Sequence, residues 1–174
     1  VAKGIRRKNS PLKGMLQAFN LLLLSWSGKT DLKTLIGAEA KGKTVQLPGM
    51  ILFSGLYINE LILRLLKPYD AHPKLFDYYQ NAIKNIADLC LESENQDDVE
   101  IVLRIFEKNL LTEIGYGIDL DKCATDDSPI RVDSIYGFDP SIGIYNLADF
   151  KGTKEQITIS GKTLKALKNE QFDN

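Results

Sequence analysis

Met50-Ile51-Leu52-Phe53-Ser54-Gly55-Leu56-Tyr57-Ile58-Asn59-Glu60-Leu61-Ile62-Leu63-Arg64-Leu65-Leu66 is the stretch on which the fold turns. Its apolar residues are dense and lie nearly all round a helix, which predicts a buried central helix. Asn59, Glu60 and Arg64 supply its few polar positions, Pro48 sits at its expected start, and Lys67-Pro68 stops it.

Outward from this helix, the C-terminal side continues in helical spacing. Pro73 opens a second helix, with Leu75, Phe76, Tyr79, Ile83, Ile86, Ala87 and Cys90 recurring every three or four residues. Glu92 to Asp98 reads as an acidic linker, and Asp97 with Glu100 resembles a capping box. A third helix then carries Val99, Val102, Leu103, Phe106, Leu110, Leu111 and Ile114, and Gly115 ends it as a left-handed cap. Beyond Gly117 the chain is rich in turns: Asp126 to Pro129 is one, and Tyr136 to Tyr145, with Asp139-Pro140 and Gly143, predicts a hairpin. Ile157 and Ile159 mark a short strand, and Thr163 to Phe172 begins a last helix.

On the N-terminal side, residues 1–45 read as β structure. One strand is expected among Leu16, Phe19, Leu21 and Leu23, Ser27-Gly28 is a turn, and a second strand spans Leu32 to Ala40. Lys41-Gly42-Lys43 closes this unit. Two or three strands alone are marginal, so these belong to a larger sheet or barrel.

Length and composition, with 44% hydrophobic and 26% charged residues, are those of a globular protein of one good-sized domain or two small ones. No apolar run approaches the roughly 18–20 residues of a spanning helix, and no three-part signal peptide precedes the first strand. A start at Val1 suggests a processed or trimmed chain, and the cytoplasm is the expected compartment. Cys90 and Cys123, with His72 as the single histidine, cannot complete a four-ligand zinc site, so no metal and no cofactor are expected.

Charge is divided unevenly along the chain. Through position 45 there are nine bases against two acids, a net of +7; the remainder has thirteen bases against twenty-one acids, a net of −8. Lys3, Arg6, Arg7, Lys8 and Lys13 precede the first acid, Asp31, and Lys29 and Lys33 follow in the strand region. Such clusters neutralise phosphates, giving salt-sensitive, sequence-tolerant binding to nucleic acid. Trp26 offers a stacking face beside the turn, whereas Phe19 reads as core.

Catalytic sets are lacking. Gly115-Tyr116-Gly117 is not followed by the residues of a phosphate loop, and one histidine leaves few ways to build a nucleophile and base. His72, before Pro73, reads as a helix-capping or solvated residue. Asp119 and Asp121 are spaced to share a cation, but a solvated loop is the simpler reading. The chain reads as a binding protein and not an enzyme.

Several of these stretches resemble bacterial RecO. They are Val1-Ala2-Lys3-Gly4-Ile5-Arg6-Arg7, Leu12-Lys13-Gly14 and Gln17-Ala18-Phe19, then Ser54-Gly55-Leu56-Tyr57-Ile58-Asn59-Glu60-Leu61. Leu103-Arg104, Phe106-Glu107, Leu110-Leu111 and the run Gly115 to Ala124 complete the likeness, which covers nearly the whole chain. The resemblance implies an α+β protein: a partial N-terminal OB-fold β-barrel over 1–45, then an all-α helical domain over 46–174 with an irregular hairpin region at about 118–160. In that family the barrel begins upstream of Val1 and the last helix runs past Asn174. With only Cys123 in the region where some members hold zinc, the zinc-free form is expected. The resemblance further implies binding to single- and double-stranded DNA, strand annealing, and, with RecR, help in loading RecA onto DNA coated by single-stranded DNA-binding protein. It also implies docking of that protein's acidic, Phe-ending C-terminal tail, with Arg104 meeting the terminal carboxylate. On residue types alone, Arg104 reads as a helix-surface cation paired with Glu100 or Glu107. A protein-binding scaffold without DNA binding is the alternative function.

Overall fold

A computed structural model describes residues 1–3, 5, 10, 12–92, 96–149 and 157–170. Three helices form the centre: α2 (Ile51–Leu65), α3 (Pro73–Glu92) and α4 (Gln96–Glu113). Before them come a single helical turn, α1 (Leu12–Met15), and an antiparallel hairpin of β1 (Leu22–Ser27) and β2 (Thr34–Ala40). After them β3 (Ile135–Asp139) pairs antiparallel with both β4 (Gly143–Asn146) and β5 (Ile157–Ser160), and α5 (Gly161–Asn169) follows directly.

The helical core gathers the residues that the three- and four-residue spacing put on one face. Leu75, Ala82, Ile83 and Ile86 of α3 meet Val99, Phe106 and Leu110 of α4, with Ile58 of α2 and Leu47 ahead of it. Pro73 occupies the first position of α3 as expected. Asp97 and Asp98 lie inside the first turn of α4, where their charge suits the positive end of the helix dipole. The two helices therefore take up most of the segment expected as an acidic linker. At the other end of α4 the Tyr116 N–H donates to Leu111 carbonyl at 2.8 Å and the Gly115 N–H to Thr112 carbonyl at 3.2 Å. With Gly115 at φ 86°, this is the Schellman arrangement, and it swings Tyr116 back across the helix end.

A second core lies under the three-stranded sheet. Cys123, Ile130, Tyr136, Ile144 and Leu164 are buried together, so α5 covers the sheet through Leu164. The phenol of Tyr136 accepts the Arg131 N–H at 2.8 Å, which satisfies its polar tip. Ser160 caps α5 by accepting the Thr163 N–H at 3.0 Å. Gly161 sits so close to the preceding loop that a β-carbon there would fall 1.8 Å from the Arg131 carbonyl oxygen.

Four expectations are corrected. The first strand starts only at Leu22, because the chain before it forms α1 and then places Phe19 in the left-handed region at φ 65°. From there Phe19 packs against the helical core instead of pairing in a sheet. The second strand begins at Thr34, since the Asp31 to Lys33 segment completes the turn. Third, α2 is not buried all round: Gly55 and Ile58 are its buried residues, while Phe53 is 62% and Leu63 82% exposed. Only one side of α2 has α3 and α4 against it, so apolar side chains on the other side face outward. Fourth, Pro48 precedes the helix by three residues and Met50 stands at its N-cap. Among the described residues neither sheet closes into a barrel, so the region expected as a partial OB-fold is a two-stranded hairpin with α1 packed on β2.

Candidate functional site

Two of the basic residues singled out in the sequence, Lys29 and Lys33, lie between β1 and β2, at the turn end of the hairpin. Val1 lies along β2, its nitrogen donating to the Lys33 carbonyl and its own carbonyl accepting the Leu35 N–H at 2.9 Å. Lys3, two residues on, is exposed, and the turn of the hairpin carries Lys29 and Lys33. Lys33 donates to the Gly28 carbonyl at 3.0 Å and stands 5.9 Å from the centroid of the Tyr69 ring, while Tyr69 donates to Asp31 at 3.1 Å. The turn is thereby fastened to the loop between α2 and α3. Lys13 is exposed on α1, against β2. Arg6, Arg7 and Lys8 lie outside the described residues. Trp26, at the turn end of β1, is 60% exposed, an open aromatic face next to the turn that carries Lys29 and Lys33.

Arg104 stands apart, on α4. Its guanidinium donates to Glu107 at 2.5 Å and to Glu100 at 3.4 Å, so both pairings that helical spacing suggested are formed. Tyr57 of α2 donates to the other oxygen of Glu107 at 2.6 Å. The hydrogen bond that Arg104 donates to Glu107 raises the guanidinium above its already high ordinary value, and the hydrogen bond to the same glutamate raises the Tyr57 phenol. Both carboxylate oxygens of Glu107 are thus engaged, one by α2 and one by Arg104.

These charges border a small apolar cavity of about 160 Å³. It is lined by Leu111, Tyr116, Ile118, Leu120 and Leu167 together with the charged Arg104, Glu107 and Lys108. The Gly115 turn explains the presence of Tyr116 and Ile118, and α5 supplies Leu167. Lys108 donates to Glu170 at 2.6 Å and to the Leu167 carbonyl at 3.3 Å, pinning the end of α5 against α4. Sequence reasoning singled out Arg104 but missed Lys108, Tyr116 and Leu167. Helical spacing put Lys108 one turn beyond Arg104 on α4, but nothing local announces that α5 returns there.

Asp119 and Asp121 do not converge on a cation site. Asp119 accepts the Asp121 N–H at 2.8 Å, and Asp121 accepts from Lys168 at 2.7 Å and Lys165 at 3.2 Å. Those two lysines, Lys168 foremost, lower the Asp121 carboxyl below its ordinary value. Among the described residues no group of three or more His, Cys, Asp or Glu is placed to hold a metal ion. His72 is paired with Asp70 at 3.4 Å, and Cys123 is a buried free thiol; the Cys90 side chain lies outside the described residues. No helix among the described residues is long and apolar enough to cross a membrane.

Fold and site together define a helical module with a cation-edged apolar cavity, carrying a hairpin with a basic end. Residues 51–171 match the family described as recombination protein O C terminal. The chain belongs to the recombination protein O family. It is 42% identical over 175 residues to the DNA repair protein RecO of Thiobacillus denitrificans, covering 99% of this chain and 66% of that protein. The RecO proteins of Nitrosospira multiformis and Coxiella burnetii are 40% and 37% identical, over 94% and 100% of this chain and 64% and 71% of their own lengths. The chain therefore spans just under two thirds of the first two relatives.

Proposed function

We propose that this chain is the DNA- and protein-binding part of a non-enzymatic recombination mediator. In this reading it binds single- and double-stranded DNA, anneals complementary strands and, with RecR, helps load RecA onto DNA coated by single-stranded DNA-binding protein. The observation that carries it is the placement of Lys29 and Lys33 at the turn end of the hairpin, next to exposed Trp26, in a member of a family whose relatives are named DNA repair proteins. Residues 1–45 are then the DNA-binding half, the β1–β2 hairpin being part of an OB-fold, and residues 46–174 the helical half. Lys3, Arg6, Arg7, Lys8 and Lys13 extend the phosphate-contacting set. A protein of this kind works in the cytoplasm, at the nucleoid.

The cavity beside Arg104 supports the second half of the reading, docking of the C-terminal tail of single-stranded DNA-binding protein. A terminal apolar side chain suits the wall of Leu111, Ile118 and Leu167, and its carboxylate suits a guanidinium at the rim.

A salt titration of binding to a single-stranded oligonucleotide tests the DNA claim. Each phosphate contact contributes about 0.7 to the slope of log affinity against log salt for single strands. Replacing Lys3, Lys29 and Lys33 by glutamine together should lower that slope by about 2. An unchanged slope, with tail peptide still bound, would leave the protein-only scaffold as the function.

A further inference from the structure

Both cations that line the apolar cavity are already compensated. Arg104 is paired with Glu107 and Glu100, and Lys108 with Glu170. The two cations and three carboxylates leave this cluster at a net −1. An acidic peptide bringing a terminal carboxylate would add charge of the same sign, so a ligand gains the full charge of Arg104 only as a glutamate gives way.

Glu107 is the one placed to do so. It borders the cavity, where Glu100 does not, and its side chain is 19% exposed against 64% for Glu100. The Glu100 contact, at 3.4 Å and in solvent, is a weak competitor by distance and screening. Glu107, at 2.5 Å, is a strong one. It also has somewhere to rest: the 2.6 Å hydrogen bond from Tyr57 remains after Arg104 is released.

Resting on the tail-docking reading above, we infer that Glu107 is a built-in stand-in for the ligand carboxylate. It holds Arg104 while the cavity is empty and is handed to Tyr57 when a carboxylate-terminated peptide enters. Glu107 thus sets the affinity of the site and its preference for a free C-terminal carboxylate over an amide.

The test is fluorescence anisotropy with a labelled short acidic peptide ending in phenylalanine, and with its C-terminally amidated twin, on the whole chain. Glu107→Gln keeps the shape and the acceptor for Tyr57 but removes the competing charge. It should tighten the free-carboxylate peptide about five-fold and leave the amidated one within two-fold of wild type. Tyr57→Phe, which removes the resting place, should weaken the free-carboxylate peptide about two-fold. Unchanged or weaker binding by a folded Glu107→Gln protein overturns the inference, because Glu107 would then be steadying Arg104. Should Glu107→Gln not fold, an unaltered affinity in Tyr57→Phe overturns it instead. The underlying reading fails separately, and the inference with it, if wild-type protein binds neither peptide or Arg104→Ala binds as wild type does.

Discussion

Lys108 and Glu170, 62 residues apart in the chain, meet at 2.6 Å and fasten the end of α5 to the middle of α4. Lys108 is only 20% exposed and also reaches the Leu167 carbonyl, so the contact is a polar link between the helical core and the sheet-bearing region. Lys108→Met should therefore destabilise the docked α5 by about 1 kcal/mol. Hydrogen exchange should quicken across Gly161–Asn169 and leave α3 unchanged. Equal protection of α5 in the variant would show that Leu164 alone holds it.

Asp121 joins the same region by charge. Lys168 first, then Lys165, lower its carboxyl below the ordinary 3.8, so the folded state binds the proton less readily than the unfolded chain. The stability this contributes is complete above the ordinary value and is lost as pH falls through the lower, folded value. In urea titrations from pH 7 to pH 3, the wild type should weaken below about pH 4, and Asp121→Asn should show a shallower acid slope. A parallel acid slope in the two proteins would count against the pairing.

Gly161→Ala should be costly for a different reason. The new methyl meets the Arg131 carbonyl, which is backbone, and Gly161 itself donates to the Ser134 carbonyl at 2.8 Å, so neither side can step back freely. A loss of about 3 kcal/mol is expected in urea denaturation. Gly14→Ala, which meets nothing within 4 Å, serves as the control.

Trp26 is the single tryptophan and is open to solvent, which makes it an intrinsic probe. If bases stack on it, single-stranded DNA should quench its emission. Trp26→Ala should then weaken binding by about 1–3 kcal/mol while retaining the salt slope. Binding without quenching would confine the contact to phosphates.

Much of the helical half was legible because its signal is local. The spacing of Leu75, Ile83 and Ile86, and of Phe106 and Leu110, names the buried face of each helix, and Gly115 names its end. The β3–β4 turn was legible for the same reason, from Asp139-Pro140 and Gly143. What sequence does not state is where neighbours lie. The apolar residues of α2 describe what would favour burial, yet only one side of that helix is met by α3 and α4. Leu16 to Leu23 looks like a strand because the run is apolar, but Phe19 obeys a tertiary demand and turns to fill space against the helices. The pairs of Arg104 followed from helical spacing; its cavity did not, since Leu120 and Leu167 arrive there by the path of the chain.

That path gives the cavity a particular character. Leu111, Arg104 and Lys108 belong to a helix of the first core, whereas Leu120 packs on the second and Leu167 lies on α5, whose Leu164 is part of it. The pocket is consequently a seam: it has a shape only while the two halves are pressed together, and it opens if either slides. A molecule seated there would act as a rivet, so its binding and the cohesion of the two cores are the same free energy measured from opposite sides.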